Sequence, residues 1–137
     1  MISLYDIGMF KVFLPTACCV LIGACSDSCA NTIVSRLPSP DGQREAVLFQ
    51  RDCGATSGFS TQISILSRRQ QLSGSGNAFS ADDDHGASQA GSWGGSWAAL
   101  RWLSSDRLLV RYAAKSRLFK QDENVSGVQI AYQSVGG

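Results

Sequence analysis

Beyond residue 29, apolar and polar positions alternate in short runs separated by clusters of Pro, Gly, Asp and Ser. A side-chain period of two is the pattern of half-buried strands. Residues 32–37 form the first predicted strand, stopped by Pro38-Ser39-Pro40-Asp41-Gly42. In that turn proline presets φ, aspartate bonds back to the chain and glycine accepts positive φ. The strand predicted over 44–52 carries Val47 and Phe49 on one face and Ala46 and Leu48 on the other, so it belongs at a central position covered on two sides. Over 59–66, Phe59, Thr61, Ile63 and Ile65 face one way and Ser60, Gln62 and Ser64 the other, which predicts one buried and one wet face.

The pattern continues through a short strand over 77–80, one over 96–103 with Trp97, Leu100 and Trp102, and one over 108–113 with Leu108, Val110 and Tyr112. Residues 117–120 and 125–132 predict a last hairpin around Asp122-Glu123-Asn124. No segment holds a sustained 3.6-residue apolar stripe. The chain therefore reads as all-β, a small antiparallel sandwich or barrel of about seven to eight short strands. Residues 81–95, rich in Asp, Gly, Ser and Ala, break the alternation. Long irregular segments in small domains are functional or disordered, and the stretch from Asp82 to Trp93 is expected to be the mobile, working part. There is also an internal echo. Ser39-Pro40-Asp41-Gly42 leads to Ala46-Val47, as Ser104-Ser105-Asp106 leads to Leu108-Leu109-Val110. It is similar to the Ser-Pro-Asp-Gly turn of blade repeats in periplasmic β-propellers, but the chain is too short for four blades of ~40 residues. Two hairpins with like turn chemistry account for it.

The N-terminal part follows a different rule. An uninterrupted apolar stretch from Val12 to Ala24 follows Lys11 and ends in Leu21-Ile22-Gly23-Ala24-Cys25. A spanning helix needs ~20 apolar residues, whereas a secretory signal core needs ~7–15. The sequence resembles the lipobox of bacterial lipoproteins, which implies cleavage before Cys25 and lipidation of that residue. At ~0.8 kcal/mol per buried CH₂, two or three acyl chains anchor a domain stably. Asp6 spoils the leading charge, and a start at Met9 gives a better signal. The expected organisation is a signal peptide over 1–24, a lipidated tether over 25–31 and a single β-domain over 32–137.

Of five cysteines, Cys18 and Cys19 fall in the cleaved segment and Cys25 carries lipid, which leaves Cys29 and Cys53 as one disulfide in an oxidising compartment. The net charge of +1 and the absence of a basic stripe speak against a nucleic-acid partner. A nucleophilic Cys53 would need His85, the single histidine, as its base, and a disulfide removes the thiolate. Asp82-Asp83-Asp84-His85-Gly86 could gather a hard cation, but it lacks the alternating ligands and distal acid of a calcium loop and reads as a solvated turn. Trp97 and Trp102, within or beside a strand, are expected in the core, and Trp93 in its glycine-rich loop is expected to be exposed.

Three blocks carry a further resemblance: Ser39-Pro40-Asp41-Gly42, then Arg51-Asp52-Cys53-Gly54-Ala55-Thr56-Ser57-Gly58-Phe59-Ser60-Thr61-Gln62, and Arg101-Trp102-Leu103-Ser104-Ser105-Asp106-Arg107-Leu108. Together they resemble a family of small bacterial proteins, often classed as lipoproteins, with no assigned function. Ser105 stands where that pattern has proline. The resemblance bears on fold and location only. The resulting expectation is a lipid-anchored β-domain facing the periplasm or exterior, non-catalytic, without cofactor or metal. It binds an envelope protein or glycan through Asp82, Asp83, His85 and Trp93. The alternatives are an inhibitor or immunity-type protein against an envelope hydrolase and, further off, a thiol- or metal-dependent enzyme.

Overall fold

The computed structural model describes residues 28–54 and 58–136. The expected signal segment and the lipidation residue Cys25 lie outside them, and no helix among the described residues is long and apolar enough to cross a membrane. Among the described residues there are nine strands: β1 (Ala30–Pro38), β2 (Arg44–Asp52), β3 (Ser60–Ser67), β4 (Phe79–Asp82), β5 (Ala98–Ser104), β6 (Arg107–Ala113), β7 (Arg117–Gln121), β8 (Asn124–Val125) and β9 (Val128–Val135). They form a five-stranded sheet in the order β1-β2-β3-β4-β7 and a four-stranded sheet in the order β5-β6-β9-β8. The two sheets pack as a sandwich, not a closed barrel. Its core joins Ala46, Leu48, Ile63, Ile65, Phe79 and Ala81 of the larger sheet to Leu108, Val110, Val128 and Ile130 of the smaller.

β2 runs between β1 and β3 and is apolar on both faces for the expected reason. Ala46 and Leu48 enter the main core, while Val47 and Phe49 form a second cluster with Leu66 and Leu72 on the outside of the same sheet. The segment after β3 folds back over that outer face. It also corrects the expectation of a wet face on β3, where Gln62 and Ser64 are buried. Gln62 Oε1 accepts from Gly76 N–H at 2.6 Å, and Ser64 Oγ accepts from Asn77 N–H at 3.1 Å. Asn77 in turn exchanges two bonds with the backbone of Ile65, standing in for a neighbouring strand. A buried polar group costs little once paired, and among the described residues no buried side-chain nitrogen or oxygen lacks a partner.

The C-terminal hairpin is the larger correction. β7 does not pair with β9. It leaves the smaller sheet altogether and adds to β4 at the edge of the larger one. The chain then returns through β8, and β9 lies parallel to β6. A parallel pair requires a crossover, which β7 provides in the opposite layer. The turn falls at Ser126-Gly127, not at 122–124. Both residues have positive φ (52° and 79°), the geometry of a two-residue hairpin. Ser-Gly is a weaker signal for that turn than Asn-Gly, so the strand predicted over 125–132 ran across it.

The internal echo is spatial as well as sequential. Asp41 accepts from Ser39 Oγ at 2.7 Å, and Asp106 accepts from Ser104 Oγ at 2.8 Å. These two turns touch, since Asp41 N–H donates to Ser105 Oγ at 3.1 Å and Trp102 Nε1–H donates to Leu37 O at 2.8 Å. Like turns thus tie one end of the two sheets together. Among these bonds, those from Ser39 Oγ and Gln43 N–H hold the Asp41 carboxyl below its ordinary pKa. The expected Cys29–Cys53 disulfide is present at the other end, beside the Ala30–Asp52 pair that opens β1.

Candidate functional site

On the outer face of the larger sheet, the covering segment stops short of the disulfide end and leaves a groove of about 350 Å³. Register explains its lining. Arg51 of β2 pairs with Ser60 of β3, Gln62 pairs with Ser80 of β4, and Asp82 pairs with Arg117 of β7, all on one face. Asp83, His85, Cys53, Gly58 and Phe119 complete the wall.

Of the residues singled out in the sequence, Asp82, Asp83, His85 and Cys53 therefore come together. Trp93 does not. It lies half-buried against the main core, and its Nε1–H donates to Thr61 Oγ1 at 2.9 Å. Its carbonyl accepts a short hydrogen bond from Gln50 Nε2. The expected single loop is two structures. A turn at 83–88 stands at the groove, and an ordered hairpin closed by the Ala90–Ser96 bridge caps the sandwich. Glycine makes the second possible: a Cβ on Gly95 would stand 2.5 Å from Thr61 Oγ1. Removing 81–92 would take out Ala81, fully buried in β4, so that deletion would cut into the larger sheet as well as the turn.

The turn is backbone-strained. Asp84, His85 and Gly86 all have positive φ, at 50°, 57° and 89°. Left-handed backbone is uncommon outside glycine, and successive residues of that kind persist only where surrounding bonds impose them. Asp82 supplies one such bond, accepting from Asp84 N–H at 2.9 Å, and Ser88 N–H donates to Asp83 O at 3.0 Å. His85 itself is exposed.

Asp82 is the electrostatic hub. Burial pushes its carboxyl up, but hydrogen bonds from Arg117 and Asp84 and the Arg117 charge outweigh that and hold it below the ordinary value. Arg117 forms a two-point pair with it, Nε–H donating to Oδ1 at 3.1 Å and Nη2 bonding Oδ2 closely. The same carboxylate, foremost through its hydrogen bond, raises the pKa of Arg117. The guanidinium also lies over the ring of Phe119, 5.2 Å from its centroid.

Phe119 is 60% exposed, the most exposed of the large apolar side chains. A bulge causes this: Ser80 pairs with Lys120 and Ala81 with Leu118, so Phe119 is the unpaired extra residue. At the opposite wall Arg51 is only 7% exposed and donates to Asn31 Oδ1 at 2.7 Å and Gly74 O at 3.0 Å. Gln62 Nε2 donates to Ser60 Oγ at 2.9 Å.

Sequence reasoning passed over Arg117, Phe119, Gln62 and Ser80. The period-two pattern in 117–120 places Arg117 and Phe119 on one face, but nothing local reveals that their neighbour is β4. The sulfur of Cys53 is bonded to Cys29 and offers no thiolate. Among the described residues no three His, Cys, Asp or Glu side chains gather as a metal cage. What the groove offers is an exposed aromatic face beside fixed carboxylate, guanidinium, amide and hydroxyl groups, an array suited to holding a polar ligand. No family model, no curated protein and no solved structure matches this chain.

Proposed function

We propose that this chain is a lipid-anchored, non-catalytic binding domain of the bacterial cell envelope, and that its groove holds a glycan strand. The observation that carries the reading is Phe119, displayed by a bulge and stacked on Arg117 beside the Asp82 carboxylate. An apolar ring takes the C–H face of a sugar, while the planar carboxylate, amide and guanidinium groups around it match vicinal hydroxyls. The anchor fits the same geometry. Cys29 is fixed at the groove end of the sandwich, and the four residue steps from Cys25 to Cys29 span at most about 14 Å when extended. A diacylated Cys25 would hold the groove close above the membrane, facing the periplasm or exterior. Membership of the lipoprotein family that the three sequence blocks resemble belongs to this proposal.

The binding claim is tested by titrating the lipidated full chain in detergent with soluble peptidoglycan strands. Phe119→Ala should weaken binding roughly fivefold to tenfold, the worth of one aromatic stack. Its thermal transition should not move, because the ring lies outside the core. Unchanged affinity would remove the groove from the account. The anchor is tested separately. Cys25→Ser should lose all incorporation of a fatty-acid probe, and label retained by the variant contradicts lipidation at that residue.

A second reading, an inhibitor or immunity-type protein against an envelope hydrolase, draws on the left-handed turn at 84–86, which presents the exposed Asp84 and His85 at the groove rim. It predicts hydrolase inhibition without glycan binding, so the same titration separates the two.

A further inference from the structure

The outer face of the smaller sheet carries charge of one sign. β5, β6 and β9 contain no Asp, Glu or Lys, yet Arg101, Arg107 and Arg111 all project from this face and are exposed. Register clusters them. Arg101 pairs with Leu109, and Arg107 and Arg111 stand two residues to either side of Leu109. Each is therefore diagonal to Arg101, with about 7–8 Å between Cα atoms. None of the three side chains makes an ion pair or hydrogen bond with another described residue. Glu123 lines the neighbouring hollow with Arg107, and the exposed Asp106 precedes Arg107 in the turn from β5, so both carboxylates stand at the border. The Arg111 guanidinium instead lies 6.0 Å from the Trp97 ring centre. Like charges this close repel, and a chain with a net charge of +1 has carboxylates enough to neutralise them had they been placed here.

We infer that this face is a docking surface for an acidic protein. Three features select that partner. The surface is a broad sheet face with only an open hollow, lined by Ala99, Arg101, Leu109, Arg111 and Gln133, which suits a macromolecule more than a small ligand. Its strands present Arg, Leu, Gln and Ala beside Trp97, and the presence of Arg and Trp with Lys, Asp and Glu absent is shared with protein interface cores. The choice of arginine three times over also counts. The planar guanidinium grips carboxylates in two-point pairs, which the point charge of lysine does not. This surface lies on the opposite sheet from the groove, and the inference does not depend on what the groove binds.

The test uses the full chain carrying Cys25→Ser, so that no acyl chain competes, with poly-L-glutamate as probe and phosphatidylglycerol vesicles as the rival surface. The chain should bind poly-L-glutamate with an affinity that falls as salt rises. R101Q/R107Q/R111Q should bind at least tenfold more weakly, and R101K/R107K/R111K severalfold more weakly although its charge is kept. R68Q/R69Q, which removes a basic pair from an exposed turn, should bind as before. The triple Gln variant should unfold at the same temperature or higher, since it relieves repulsion, where a structural role for the arginines would lower it. Wild-type binding by the triple Gln variant, or no binding of poly-L-glutamate at all, overturns the inference. So does vesicle binding that exceeds polyglutamate binding and is equal in the Lys variant, because that result makes the face a membrane contact.

Discussion

Phe79→Ala is expected to destabilise the domain by about 3–5 kcal/mol, the range for emptying a packed aromatic site. Phe79 is 1% exposed and opens β4, the four-residue strand that joins β3 to β7. Its ring lies 5.8 Å from that of Tyr112 and 5.9 Å from that of Tyr132, so it is one of the contacts through which the two sheets meet. The loss would also loosen Tyr132. The hydroxyl of that residue donates its one proton to Asp122 O at 2.5 Å, with Ala78 O 3.2 Å away as an alternative acceptor, so it ties the return of the chain from β7 to β4. Burial above all, helped by the nearby Asp122 and Glu123 charges, pushes the Tyr132 phenol well above its ordinary pKa. Urea unfolding of the variant measures the loss. A change below about 1 kcal/mol would mean that the sheets do not pack through Phe79.

Cys53→Ser should cost about 2–5 kcal/mol. The closed segment has a sequence separation of 24, for which loop-closure entropy in the unfolded chain accounts for about 3 kcal/mol. The effect belongs chiefly to the unfolded state, because β1 and β2 are already paired from Ala30–Asp52 to Pro38–Glu45. The folded variant should therefore keep its strand content while unfolding at lower urea. Mass spectrometry of unreduced protein should find the two cysteine peptides linked. Free thiols at both positions in protein taken from the envelope would refute the staple and return a reactive Cys53 to consideration.

The elements legible in the sequence were those whose evidence is local. The strand over 44–52 showed its central position because Ala46, Val47, Leu48 and Phe49 leave no polar face. The pairing of Cys29 with Cys53 followed from the fates expected of the other three cysteines. The like turns at Ser39 and Ser104 were visible as an echo, although their mutual contact was not. Elements whose evidence lies in a distant neighbour were misread. Gln62 and Ser64 look solvated until the segment from Leu72 to Asn77 folds over them and supplies their hydrogen bonds. Trp93 stands among glycines, which suggested exposure, yet glycine is what lets the chain press against Thr61 and seat the indole. β7 and β9 are close in sequence, separated by the short β8, and polar-apolar in pattern, and only the sandwich topology sends them to different sheets. The candidate site suffered the same way. Its acidic turn was found, but the partner strand that contributes Arg117 and Phe119 depends on that crossover.

The central claim, that ligand is held in the groove between the disulfide and the Asp82–Arg117 pair, is tested most directly by amide hydrogen exchange. The chain would be followed with and without soluble peptidoglycan strands. Slowed exchange confined to residues 58–62, 80–86 and 117–120, with 98–113 and 128–135 unchanged, is the expected result. Protection of 98–113 and 128–135 with none in the groove would contradict it.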